Sequence, residues 1–426
     1  MRKPLFTATV AACLAFATAC SAAPEPEPAV GAPTSPLRIV SGQLAQNGEL
    51  LRKLLQGFDD ANSDISLDIQ LDNKKDVEIS QSVIAQIQAG NAPDLVRVTS
   101  ATFRAFTDAG VAKPLTTCFE SDSALLAAVD REQLDNLRVK GEIYAAPWYV
   151  TKPALFVNDN AFREAGLDPR KAPATWAEIE EAAAKLAAPE RNRFGALTYF
   201  GNSFLFQGGL FSGGGTMVDS AGKAPEFNGQ AGTAVLQHWR NLVDRKQMPV
   251  VDNYFAEAVD MFKSGKVPML VSSSSTFTAV RSAGFPISVA PFPVPAGGSR
   301  KVPVSINGFV MLTADPARQA AVCKLVKSLL TPQAVTDTVK ATATAPLNKQ
   351  AGADPALLGG YFAENPGFAA VNAQPSTAWY TFPGSANAEF EVKYAEAQFA
   401  ALRGTKSPKE ALDGLADFAR RALAAK

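Results

Sequence analysis

The chain has 426 residues, 47% of them apolar, and sets 41 Lys and Arg against 41 Asp and Glu. Near-neutral charge without a Lys/Arg cluster argues against a nucleic-acid or anionic-membrane surface. One histidine and four cysteines, two of them within the first 20 residues, exclude an ordinary zinc site, and no metal or cofactor is expected.

Arg2 and Lys3 precede a short apolar run that ends in small residues, which predicts a secretory signal over residues 1–19. The run is too short and wrongly flanked for a stable membrane span. Ala17-Thr18-Ala19-Cys20 resembles a bacterial lipoprotein cleavage box, with Ala17 where leucine is usual, so Cys20 is the expected lipidation site. "SAAPEPEPAVGAPTSP" cannot bury a core and predicts an extended, lipid-anchored linker over 20–36. Simple cleavage and release is the alternative. Roughly 390 residues follow Pro36, too many for one compact core, so two domains are expected.

"PLRIVSG" (36–42) reads as a first strand and "ELLRKLLQGFDDAN" (49–62) as the helix behind it. "SLDIQLD" (66–72) alternates as a second strand, and "VEISQSVIAQIQAGN" (77–91) is a helix ended by Gly90. "DLVRVTS" (94–100) and "ATFRAFTDAG" (101–110) repeat the pattern. Such alternation predicts parallel sheet with ligands beyond the carboxyl ends of its strands, at 41–49, 72–78 and 99–102. "ALFVN" (154–158) is a buried strand, followed by a short helix capped by Asn158 or Asp159 and closed by Gly166. Thr175 and Glu178 form a capping box for the next helix. A strand then leads into an aromatic, glycine-rich loop, "TYFGNSFLFQGGLFSGGG" (198–215), and an amphipathic helix spans 229–248. "VPMLVSS" (267–273), "ISVAPFPVP" (287–295) and "INGFVMLTA" (306–314) are further strands, and 317–341 gives paired helices. The tail from Lys406 is helical, with Ser407-Pro408 at its start. Cys118 and Cys323 are the two mature thiols besides Cys20. They could pair in an oxidising compartment, but their spacing does not say so, and Cys323 reads as a free buried cysteine on an apolar helix face.

Enzyme signatures are weak. His238 lies on a helix whose apolar face is filled by Leu236, Trp239 and Leu242, a poor place for a general base. No nucleophile elbow or phosphate-binding glycine loop occurs, and "SGGG" (212–215) lacks the lysine a phosphate cradle needs. Asp59/Asp60 and Glu180/Glu181 read as solvated, and Asp252 and Asp260 do not identify themselves as an acid–base pair. The aromatics carry more. Trp148 and Tyr149 precede a strand, Tyr199, Phe200, Phe204 and Phe206 follow one, and Trp379-Tyr380 sit in a polar segment. Rings in such places suit the apolar faces of sugars, with polar neighbours to set orientation.

"AGNAPDLVRV" (89–98), "AGVAKPL" (109–115), "GEIYAAPWYVTKPALFVNDNAFREAGLDPRKAPATWAEI" (141–179) and "MFKSGKVPMLVSSSS" (261–275) resemble family-1 extracellular solute-binding proteins of ABC importers, the carbohydrate-binding group that includes maltose- and glycerol-3-phosphate-binding proteins. "GYFAENPGF" (360–368) and "GTKSPKEALD" (404–413) resemble the glycerol-3-phosphate branch. The resemblance implies an α/β, two-lobed periplasmic-binding-protein fold of type II with a hinge of three crossing segments. It places these at Ala146–Pro153, near Val267–Ser272 and near Gly308–Thr313, with lobe 1 at 37–147 plus 268–309 and lobe 2 at 148–267 plus 310–426. It further implies a monomeric, non-enzymatic protein, lipid-anchored and facing the periplasm or exterior, whose partners are a carbohydrate-like ligand and permease subunits. By the same carry-over, Trp148, Tyr149, Thr151, Asn202, Phe204, Ser274, Asn307, Gly308 and Trp379 touch ligand. Where the branch has a Tyr-Glu pair this chain has Thr99-Ser100, and Glu391 stands where it has a phosphate-binding arginine. A carboxylate there repels phosphate, so a neutral oligosaccharide or an amine-bearing ligand is expected. The competing readings are a secreted glycoside-acting enzyme and a binding protein that serves a sensor.

Overall fold

The computed structural model describes residues 31–42, 44–74, 76–198, 202–251, 254–384 and 386–424. The signal, Cys20 and most of the linker lie outside them, as do Tyr199, Phe200 and Asp252. Every element belongs to the compact unit Ala32–Lys426.

Twelve strands are present among the described residues: β1 Leu37–Ser41, β2 Leu67–Leu71, β3 Leu95–Thr99, β4 Arg138–Val139, β5 Glu142–Ile143, β6 Ala145–Thr151, β7 Pro153–Asn158, β8 Ala196–Thr198, β9 Met269–Ser273, β10 Ile287–Pro291, β11 Val302–Met311 and β12 Ser376–Ala378. The first helices are α1 Leu44–Ala61, α2 Asp76–Gln88, α3 Ser100–Asp108 and α4 Thr116–Glu120. β1, β2 and β3 pair in parallel with α1 and α2 between them, as the strand–helix alternation predicts. They join β11, β12 and β6 in a sheet ordered β12-β11-β3-β1-β2, with β6 on β11. A second sheet runs β10-β7-β9-β8, and β4 and β5 form a small hairpin.

Each sheet has its own apolar core. Leu37, Ile39, Val96, Val98, Phe106 and Phe309 belong to the first, and Leu155, Phe156, Leu197, Phe206, Leu236 and Leu270 to the second. Predicted local signals hold. Asn158 Oδ1 accepts from Ala161 N at 3.1 Å, and Gly166 takes φ 72°. Thr175 and Glu178 exchange their capping hydrogen bonds at 3.3 and 3.0 Å. Ser407 Oγ accepts from Glu410 N at 3.2 Å ahead of the helix Pro408–Ala424.

Two expected crossings move. The chain leaves the first sheet at Lys152, between β6 and β7, inside the predicted Ala146–Pro153. Val267–Ser272 is no crossing, because β9 sits between β7 and β8 in the second sheet. Gly308–Thr313 lies largely within β11 of the first sheet, and the return passage runs earlier, between Pro291 and Val302. Helix Pro316–Leu329 packs Ala321, Val322 and Leu325 into the first core, whereas helices Ala386–Arg403 and Pro408–Ala424 pack into the second. Thus 269–291 goes with the second sheet and 316–330 with the first, the reverse of the division expected from resemblance. Family spacing alone could not register these strands, since only pairing partners decide which sheet a buried apolar run joins.

Cys118 on α4 and Cys323 on helix Pro316–Leu329 form a disulfide, with Cα atoms 5.3 Å apart across 205 residues of chain. This corrects the reading of Cys323 as a free thiol. "FLFQGGLFS" is likewise a helix, Phe204–Ser212, not a loop. Its glycines are there for contact: a Cβ at Gly209 would lie 2.8 Å from Val235 Cγ2.

Candidate functional site

A cavity of about 240 Å³ opens between the two sheets. Strand alternation decides who faces it. On β6, Tyr149 and Thr151 line the cavity, while Trp148 is buried in the first core, 4.9 Å edge-on to Tyr149 and 5.8 Å from Phe309. On β11, Ser305 and Asn307 line it, and Val304 and Ile306 face away into that core. Residues from the second-sheet side complete it: Asn202, Phe204, Ser273 and Ser275, with Trp379 beyond β12.

Six of the ten sequence-proposed ligand residues therefore meet at one cavity: Tyr149, Thr151, Asn202, Phe204, Asn307 and Trp379. The other four do not line it. Trp148 is the extra residue where the β6–β11 register shifts, and its ring is buried against Phe309. Ser274 is buried in the crossing, where its N donates to Lys152 O at 2.8 Å. Gly308 lets two strands close up, because a Cβ there would stand 2.3 Å from Ala146 O, and the β6–β11 register shifts between Asn307 and Gly308. Glu391 lies one layer behind the wall. Its Oε1 and Oε2 accept from Ser203 Oγ and N, both at 2.8 Å.

That layer holds the aromatic wall in place. Ser203 Oγ accepts from Trp379 Nε1 at 3.3 Å and from Gln207 Nε2 at 3.1 Å, and Gln207 Oε1 accepts from Tyr380 N at 2.9 Å. Phe204 meets Trp379 edge-on at 5.3 Å. Burial pushes the Glu391 carboxyl up to about 7, against the pull of its two Ser203 hydrogen bonds. So Glu391 supports the rings and does not face ligand as the sequence reading supposed.

Arg97 and Asp76 were not foreseen. Arg97 is a charged residue inside the apolar strand β3, only 2% exposed. Its Nη1 bonds Asp76 Oδ1 at 2.6 Å, and its Nη2 donates to Tyr149 Oη at 3.2 Å and to Asn307 Oδ1. Burial works against the guanidinium, but the Asp76 charge and the Tyr149 contact outweigh it and hold its pKa above the ordinary value. Burial also raises the Tyr149 phenol, despite Arg97 beside it. The signal for this cluster was an arginine flanked by apolar residues in "DLVRV". Asp76 itself lies in one of the predicted strand-end segments.

The passages between sheets are tied together beneath the cavity. Lys152 Nζ donates to Asn372 O and Gln374 O at 2.7 Å each, and burial lowers its pKa against the opposing charges of Glu132 and Asp130. Gln374 Nε2 donates to Pro153 O at 3.0 Å, and its Oε1 accepts from Phe292 N at 2.8 Å. His238 is remote from the cavity, paired to Glu180 at 2.9 Å and stacked 4.7 Å from Trp176.

The family model for bacterial extracellular solute-binding proteins matches residues 53–370. The sn-glycerol-3-phosphate-binding periplasmic protein of Escherichia coli K12 is 24% identical over 339 residues, covering 75% of this chain and 76% of its own length. A mannitol-binding protein of Pseudomonas aeruginosa is 29% identical over 145 residues, 33% of either chain. Two solved structures share the fold. The solute-binding protein of Thermotoga lettingae bound with alpha-D-tagatose superposes with TM-score 0.79 at 19% identity, over 92% of this chain and 100% of its own. UgpB of Mycobacterium tuberculosis in complex with glycerophosphocholine gives 0.79 at 20%, over 92% and 98%.

Proposed function

Because this chain belongs to the bacterial extracellular solute-binding protein family, we propose that it is the solute-binding component of an ABC importer and carries a neutral carbohydrate or polyol. One observation carries the reading: the cavity between the sheets combines ring faces with neutral hydrogen-bonding groups. Trp379 and Phe204 suit the apolar face of a sugar, and Asn202, Thr151, Ser273 and Asn307 suit its hydroxyls. Relatives named for glycerol 3-phosphate and glycerophosphocholine raise a phosphate-bearing alternative. No Lys, Arg or His occurs among the described residues that line the cavity, and Arg97 behind it is spent on Asp76, Tyr149 and Asn307. Phosphate recognition needs uncommitted donors of that kind, so a neutral ligand fits better.

Capture rather than turnover is the work of this site. Glycoside cleavage needs two carboxylates roughly 5–10 Å apart, and Asp76 is the one carboxylate among the described lining residues. The two sheets serve as lobes that close over the solute, with Lys152 and Gln374 tying the passages on which they turn. The protein works as a monomer outside the cytoplasmic membrane, lipid-tethered at Cys20 through residues 20–36, with permease subunits as partners. The Cys118–Cys323 bond supports an oxidising compartment.

A thermal-shift screen over sugars, polyols, glycerol 3-phosphate and glycerophosphodiesters tests the ligand class. A ligand bound only by the native state at about 100 times its Kd adds about 2.7 kcal/mol of apparent stability. A neutral sugar or polyol should raise the Tm. Stabilisation by phosphate-bearing compounds alone would refute the neutral-ligand reading.

A further inference from the structure

Behind β11 lies a second cavity of about 460 Å³. It is separate from the first by construction: Val304 and Ile306 line it, whereas Ser305 and Asn307 line the front cavity, and alternate residues of a strand face opposite ways. Trp379 is the wall common to both. Like the front cavity, it bridges the two cores, with Phe103 and Leu137 from the first and Met217 from the second.

Its chemistry differs from that of the front cavity. Arg104, Arg138 and Lys301 line it, and no Asp or Glu does among the described residues. Arg138 is largely committed, to Asp135 at 3.0 Å and Gly141 O at 2.8 Å, and Arg104 gives one edge to Asp108 at 3.1 Å. Lys301 is exposed and has no acidic partner among the described residues. Phe103, Trp379 and Tyr380 add ring surface, and the volume lies within the usual range for small-molecule pockets, about 300–1,000 Å³.

We propose that this rear cavity is a second ligand site, for a small organic anion with an aromatic or apolar body: the anionic oxygens meet Arg104 and Lys301, and the ring packs against Trp379 and Tyr380. It goes beyond the front-cavity reading and does not depend on it, because the probe carries no sugar.

Phenyl phosphate is titrated calorimetrically into the full mature protein, with benzyl alcohol as the ring without the anion. Saturable one-to-one binding of phenyl phosphate is expected, with none for benzyl alcohol. Lys301→Glu and Arg104→Gln should each weaken it about tenfold or more, the loss of a charge-assisted contact, while the front-cavity change Tyr149→Phe leaves it within about twofold. Lys301 is exposed, so its variant stays folded even where Arg104→Gln does not. The proposal is overturned by absence of saturable binding up to about 10 mM, by equal binding of benzyl alcohol, or by a loss that follows Tyr149→Phe and spares Lys301→Glu.

Discussion

Arg97→Met removes the buried cation on which the cavity face of the first sheet is arranged. Charges about 4 Å apart at an effective dielectric near 20 attract by about 4 kcal/mol, and the variant also strips a donor from Tyr149 and from Asn307. Relief comes from no longer burying a guanidinium, and from the partial exposure of the Asp76 side chain, 10%. Breaking one side of a buried pair costs about 3–5 kcal/mol, and that exposure puts the expectation near 3. Urea unfolding followed by circular dichroism should show a midpoint lower by about 1 M at unchanged slope. Adding Asp76→Asn removes the carboxylate that faced Arg97 and should restore about half of the loss. The surface pair Lys53–Asp337, with Lys53 72% exposed, is the control, and Lys53→Ala should cost under about 0.5 kcal/mol. A midpoint change below about 0.3 M for Arg97→Met, or no recovery in the double variant, would refute the reasoning.

The raised Glu391 carboxyl predicts a stability slope. Its native form, with a pKa of about 7, holds a proton that the unfolded chain releases near 4.5. Stability from this group is therefore full below about 4.5 and lost as pH rises to about 7, by about 3 kcal/mol at 1.36 kcal/mol per unit. Glu391→Gln should flatten the difference in unfolding free energy between pH 5 and 8 by that order, and an unchanged slope would contradict the account. Reduction, or Cys118→Ser with Cys323→Ser, opens a loop spanning 205 residues and should cost about 3–5 kcal/mol in urea unfolding. Two reactive thiols in the unreduced, unfolded protein would contradict the pairing. Trp379→Ala removes the ring that Phe204 meets edge-on, and should weaken the best ligand of the thermal-shift screen by about 100-fold; because the ring is buried in the second core, the Tm without ligand should fall as well. A loss below about fivefold would count against stacking.

The alternation that builds β1, β2 and β3 was readable because each strand and helix carries its own period and its own stop. The crossing at Lys152 falls within Ala146–Pro153, where the family resemblance put it and residue pattern alone did not. What sequence blurred was direction and partnership. Trp148 and Tyr149 are equally aromatic neighbours, yet only Tyr149 lines the cavity, because Trp148 falls at the bulge in the β6–β11 pairing and is buried against Phe309. Arg97 finds Tyr149 and Asn307 at separations of 52 and 210 residues, and Cys118 finds Cys323 at 205, distances over which no local pattern extends. Glu391 lies near the cavity but one layer back, because the Ser203 backbone and hydroxyl take both its oxygens. Glycines in "FLFQGG" read as a loop signal, although their reason is close packing of a helix, Gly208 against Phe292 and Gly209 against Val235.

The central claim is reversible capture of a neutral sugar or polyol between the two sheets. Calorimetric titration of the best neutral ligand from the screen, alongside glycerol 3-phosphate and with the sugar recovered and assayed afterwards, tests it most directly. One site with a Kd of micromolar order, about −8 kcal/mol, is expected, with the sugar recovered intact and no comparable binding of glycerol 3-phosphate. Micromolar binding of glycerol 3-phosphate, or turnover of the sugar, would contradict it.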